Sequence, residues 1–167
     1  MVTTQSELKS GVEEALSGWK RIVVLGIGNE FGGDDSLGLL AAKKLKESLA
    51  DIPEVQVLAA GNAPENFTGL LRNFSPSHVL FVDAAETGER AGTIKLIEAH
   101  EIEEITPSTH SLPLHLLANS LEQELGSKMI ILGIQPKKLY FGTSLSTEVK
   151  DSINKLVLML EEILTNT

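Results

Sequence analysis

Residues 21–40 read RIVVLGIGNEFGGDDSLGLL, and the order of the parts decides the fold class. The β-branched apolar run from Arg21 to Gly26 reads as a buried strand, and a glycine-rich loop follows it. Leu37, Leu40, Ala41, Leu45 and Leu49 then recur at helical spacing and predict a helix from about Asp35 to Leu49. Gly28 and Gly33 have the Gly-x-x-x-x-Gly spacing of a phosphate loop, but Asp34 and Asp35 stand where that loop needs Lys and then Ser or Thr. The glycines allow a tight turn, while two carboxylates at a helix start repel a phosphate. The charge of this loop is arranged for a cation.

Outward from this unit, the chain keeps alternating. About Ser6 to Lys20 predicts an amphipathic helix, with Thr4 and Glu7 at capping-box spacing and Leu8, Val12, Leu16 and Trp19 on one face. Downstream, VQVLAAG reads as a strand, APENFTGLLRNF as a short helix with Pro64 near its start, and HVLFVDAAE as a second buried strand. The alternating GTIKLIE reads as an edge strand, SLPLHLLANSLEQEL as a helix beginning near Ser111, and KMIILGIQP as a strand ending before Pro136. A last helix, about Thr147 to Leu164, turns Val149, Ile153, Leu156, Val157, Leu160 and Ile163 inward. Strands alternating with helices predict an α/β three-layer sandwich around a mostly parallel twisted sheet. With no repeat, low-complexity tract or dividing linker, residues 1–167 read as one domain, residues 1–20 being a helical addition ahead of the first strand.

Composition narrows the function. A net charge of −9, with scattered Lys and Arg, argues against a nucleic-acid partner. The chain has no cysteine, which excludes disulfides, thiolate metal sites and a Cys nucleophile, and fits a reducing compartment. The first residues are polar and acidic, unlike a signal peptide, and no apolar run approaches the roughly 20 residues of a membrane span. A soluble, cytoplasmic protein without membrane insertion is expected.

In parallel sheets, ligands sit outside the carboxyl ends of the strands at a switch point. Three such positions carry chemistry here. The first strand runs into Asn29, Asp34 and Asp35; the strand from His78 ends at Asp83, with Glu86 close behind; and the loop TPSTHSLP carries His110 ahead of a helix. Two carboxylates and one imidazole suit a divalent cation. Each residue also has an ordinary structural reading. An Asp before an apolar helix is most often an N-cap, worth about 1 kcal/mol, though two in a row leave one for another role. An Asp at a strand end often only accepts from loop amides, and His78, His100 and His115 read as structural or solvent-facing.

Other motifs fail on particular residues. A dinucleotide fold wants Gly where Phe31 stands, and an acid after the second strand, where VLAAGNA has none. HEIEE, His100 to Glu104, has Glu104 where a zinc-protease motif needs its second His. In DDSLG, Asp34 precedes Ser36 by two residues where a nucleophile elbow needs Gly. No nucleotide cofactor is expected.

Taken together, GIGNEFGGDDSLG, GNAPEN, VDAAETG, GTIKLI, THSLPL and LGIQP, in this order from about Ile22 to Val157, resemble the hydrogenase maturation endopeptidases, most of all the branch serving hydrogenase 3 type complexes. The resemblance implies a sheet of about five strands between helices. It implies a protein substrate, the large-subunit precursor of a nickel–iron hydrogenase already loaded with nickel, from which one C-terminal peptide is cut. It implies a site of Asp35, Asp83 and His110, catalytic and metal-holding together in an aspartic-type protease, and so selects Asp35 over Asp34. The nickel is supplied by the substrate. Asp34 and Glu86 are candidates for a general base, against their readings as cap and surface residue. A monomer is favoured. Two alternatives remain at this point: a non-enzymatic nickel-binding assembly factor, and a magnesium-dependent phosphoesterase, which would not need His110.

Overall fold

The computed structural model describes residues 3–98, 106–107 and 114–166, residues 106–107 by their backbone. The elements in chain order are α1 (Gln5–Ala15), β1 (Ile22–Ile27), α2 (Leu37–Ser48), β2 (Val55–Gly61), α3 (Thr68–Phe74), β3 (His78–Glu86), β4 (Ile94–Glu98), β5 (Thr106–Pro107), α4 (Leu114–Leu125), β6 (Lys128–Ile134) and α5 (Thr147–Thr165). Short 3-10 turns, Gly33–Ser36 and Pro64–Phe67, lead into α2 and α3.

Five strands lie in the order β2-β1-β3-β6-β4, and β5 pairs with β3 off this path. β1 is parallel to both β2 and β3, and β3 is parallel to β6. The edge strand β4 runs antiparallel to β6. After β1, the chain first builds β2 on one side and then β3 on the other, so the crevice between β1 and β3 is the switch point of the sheet.

Side chains alternate along each strand, and β3 displays both layers of the core. Leu80, Val82 and Ala84 face one cluster with residues of α1, α2 and α5. Val79, Phe81 and Ala85 face the other with Leu71 of α3 and Leu117, Ala118 and Leu121 of α4. By this two-residue period, Asp83 belongs to the layer of α3 and α4. The fully buried run IVVLGI of β1 has helices on both faces, as a central parallel strand requires.

α1 has the capping box read from the sequence: Glu7 N–H donates to Thr4 Oγ1 and Thr4 N–H to Glu7 Oε2. It ends earlier than its periodicity predicts, at Ala15, and Gly18 then takes a positive φ of 75°. Its Leu8 and Val12, with Leu16 just past its end, join the core, so the segment ahead of β1 is packed against the sheet. The helix expected from Asp35 starts two residues later, at Leu37, because the 3-10 turn intervenes. A Cβ on Gly38 would stand 2.0 Å from the Ile27 carbonyl oxygen and 2.3 Å from that of Val82. The missing side chain therefore seats the start of α2 directly on the ends of β1 and β3. The start of the helix predicted near Ser111, with Pro113, lies outside the described residues. Among the described residues no helix is long and apolar enough to cross a membrane.

Candidate active site

The turn Gly33–Ser36 packs against β3 at the switch point and carries both loop carboxylates. Both are buried, Asp34 at 0% and Asp35 at 2% exposure, and Asp83 on β3 is buried at 6%. Asp35 is tied into the loop through its main chain. Its carbonyl accepts from Asn29 N–H at 3.2 Å, and its Cβ would be 2.9 Å from a Cβ on Gly32. Asn29 itself turns inward on the loop, its Oδ1 accepting from Phe31 N–H at 3.0 Å. Asp83 Oδ1 accepts from the N–H of Ala84 at 2.8 Å. In register, Asp83 stands opposite Gly133 of β6 and one residue beyond the Gly26–Val82 pair of β1 and β3.

Neither carboxylate of the loop caps α2. The residue before that helix, Ser36, makes no side-chain cap bond, and the residue capping the turn Gly33–Ser36 is Gly32, which has no side chain. Asp34 instead reaches across to the loop between β6 and α5. Its Oδ2 accepts from Lys137 N–H at 2.8 Å, Lys138 N–H at 2.9 Å and Ser146 Oγ at 2.8 Å, and its Oδ1 from Ser146 N–H at 2.7 Å. Burial pulls its carboxyl upward and is the largest single influence, but the amides of Ser146, Lys138 and Lys137 and the Ser146 hydroxyl together outweigh it and hold the acid below the ordinary range. A buried carboxylate with that many donors is a poor proton acceptor, so the general-base reading of Asp34 is set aside on physical grounds.

Glu86 accepts from Gln135 Nε2 at 2.8 Å, while Gln135 Oε1 accepts from Thr87 N–H at 2.7 Å. Buried Gln135 therefore clamps the exit of β3 just past Asp83. Sequence reading missed this residue, although a glutamine between the end of an apolar strand and Pro136 is the kind of buried amide that must find partners. His78 is structural as expected: buried at the start of β3, with Ser77 Oγ 2.9 Å from its Nδ1. Burial first, and Lys128 second, push its imidazole below the ordinary range. His110 and His100 lie outside the described residues. Among the described residues no three His, Cys, Asp or Glu side chains form a metal-holding group.

The hydrogenase maturation protease family model matches residues 39–163. The chain belongs to this family. The hydrogenase 3 maturation protease of Escherichia coli strain K12 is 34% identical over 140 residues, covering 83% of this chain and 88% of that protein. A crystal structure of a [NiFe] hydrogenase maturation protease HycI from Thermococcus kodakarensis has a TM-score of 0.86 at 35% identity, over 93% of this chain and 99% of that one. The solution structure of an endopeptidase HycI from Escherichia coli has a TM-score of 0.74 at 34% identity, over 86% and 90%. The protein is accordingly a hydrogenase maturation endopeptidase, an enzyme that hydrolyses a peptide bond, on a mostly parallel five-stranded sheet with helices on both sides. Neither the assembly-factor nor the phosphoesterase alternative matches this family.

Proposed function

We propose that this maturation protease removes a C-terminal peptide from the nickel-loaded large-subunit precursor of a nickel–iron hydrogenase, using Asp35, Asp83 and His110. The observation that carries the site assignment is the burial of two acids at the ends of adjacent strands, Asp35 beyond β1 and Asp83 on β3, at the switch point of the sheet. The pairing of Pro107 with Ala85 brings the chain beside the end of β3 only three residues before His110.

Two carboxylates and one imidazole leave coordination positions open on a divalent ion. Nickel held by the precursor would be bridged through them, which orients the scissile bond and polarises its carbonyl. Such a donor set binds nickel less tightly than one with added thiolates, so the metal belongs to the substrate. The loop amides support the absence of a nucleotide cofactor: those of Asn29, Gly32, Asp34 and Asp35 already donate to carbonyls of this chain. The lack of cysteine fits a reducing compartment and supports the cytoplasm as the place of the reaction.

The test separates who carries the metal. The protein is stripped with chelator, freed of it, and mixed with precursor prepared with and without nickel. Cleavage of the nickel-loaded precursor alone supports the proposal. Cleavage of nickel-free precursor overturns nickel gating, and activity lost on stripping and restored by zinc identifies an ordinary metalloprotease carrying its own ion.

A further inference from the structure

The largest exposed apolar side chains of the described residues are not scattered. Phe31 (60% exposed), Tyr140 (74%) and Phe141 (79%) lie on two loops, and the rings of Phe31 and Phe141 are 6.0 Å apart. Phe31 precedes the site residue Asp35 by four positions, on the loop leaving β1. Tyr140 and Phe141 lie on the loop leaving β6, at the same carboxyl edge of the sheet.

The exposure is built in. Leu139 and Leu145, which flank the pair, pack against the core while Tyr140 and Phe141 point outward. Asp34 holds both ends of this loop through Lys137, Lys138 and Ser146. Gly142 N–H donates to the Phe31 carbonyl at 2.8 Å, tying one aromatic loop to the other. Gly33, at a φ of 62°, leaves room for this crossing, since a Cβ there would meet Thr143 Oγ1 at 2.2 Å. The aromatic surface and the turn bearing Asp35 therefore form one held unit.

We propose that Phe31, Tyr140 and Phe141 form the docking surface for apolar residues of the substrate polypeptide next to the scissile bond. The inference rests on the endopeptidase reading above. An enzyme that cuts one bond of a protein must hold chain beside that bond, and this apolar surface is continuous with the loop that carries Asp35. Fully exposed aromatic side chains present 150–250 Å² each, so the three offer roughly 300–500 Å². That suits a peptide anchor and falls short of the ~800 Å² per partner of a stable dimer. In an acidic chain of net charge −9, recognition through apolar rings also frees substrate choice from charge.

The experiment compares wild type with Phe31→Ser and with the double variant Tyr140→Ser/Phe141→Ser, on nickel-loaded precursor. Precursor binding is measured by calorimetry and cleavage by kcat and KM. Thermal melting and sedimentation are recorded for each protein. The expected result is precursor binding and KM weakened about tenfold or more, as for loss of aromatic anchors, with kcat within about twofold and melting unchanged. Phe141→Leu, in an otherwise unchanged chain, keeps most of the affinity. Unchanged precursor binding overturns the inference. A fall in kcat alone assigns the residues to loop placement instead, and a dimer that dissociates in the variants assigns the patch to self-association. If wild type binds precursor but does not cut it, the endopeptidase reading fails while the binding comparison still decides the surface.

Discussion

Replacing Asp34 by Asn distinguishes a helix cap from a latch between loops. As a cap, the change is nearly neutral, because Asn caps about as well as Asp. As a latch, it is costly. The carboxylate accepts three main-chain N–H groups and one hydroxyl while fully buried. With the amide oxygen in place of Oδ2, the Nδ2 group faces the N–H of Ser146, so one bond becomes a donor–donor clash worth about 1–3 kcal/mol. The other three bonds lose their charge and about half their strength. Together the loss is about 2–4 kcal/mol, or a drop in Tm of about 5–15 °C for a domain of this size. The acid is held below its ordinary range in the folded protein, so the unfolded chain takes up the proton first as pH falls. Its stabilisation is complete above about pH 4 and is lost as pH falls through the lower folded value. Wild type should therefore lose Tm faster than the variant below about pH 4. Differential scanning calorimetry from pH 2.5 to 7 measures both effects. A variant that melts with wild type at pH 7, and parallels it in acid, would refute the latch.

The remaining predictions are more direct. Asp35→Asn, Asp83→Asn and His110→Ala should each lower precursor cleavage by about a hundredfold or more without loss of fold, judged by kinetics and circular dichroism; full activity in two of the three removes the site assignment. Gly38→Ala should destabilise by about 1–3 kcal/mol, since its methyl would stand against the carbonyls of Ile27 and Val82; an unchanged denaturation midpoint would contradict that packing. Thr4→Ala should cost about 1 kcal/mol in the same assay by opening the capping box, and leave kcat/KM unchanged.

How much of this was legible in the sequence follows from how local each cause is. VQVLAAG and HVLFVDAAE have the bounds of β2 and β3, because apolar runs and the turn residues around them are adjacent in the chain. The alternation of IKLIE marked β4 as an edge strand, and β4 is the antiparallel edge of the sheet. β5 is two residues long, one of them proline, and gave no pattern to read. Strand ends in a parallel sheet pointed to Asp34, Asp35 and Asp83 alike, and only the family resemblance chose Asp35 over Asp34. Asp34 looked like a cap because its true partners are 103 to 112 residues away and two of the three partner residues offer only main-chain amides, which carry no sequence signal. The aromatic surface escaped for the same reason: Phe31 and Phe141 meet only when the loops leaving β1 and β6 are brought to one edge.

The most direct measurement is the intact mass of nickel-loaded precursor after incubation with wild type, with Asp35→Asn and with Asp83→Asn. The site assignment predicts one shortened large subunit and one released C-terminal peptide with wild type, and unchanged mass with either variant. Unchanged mass with wild type, or the same shortened product with either variant, would contradict it.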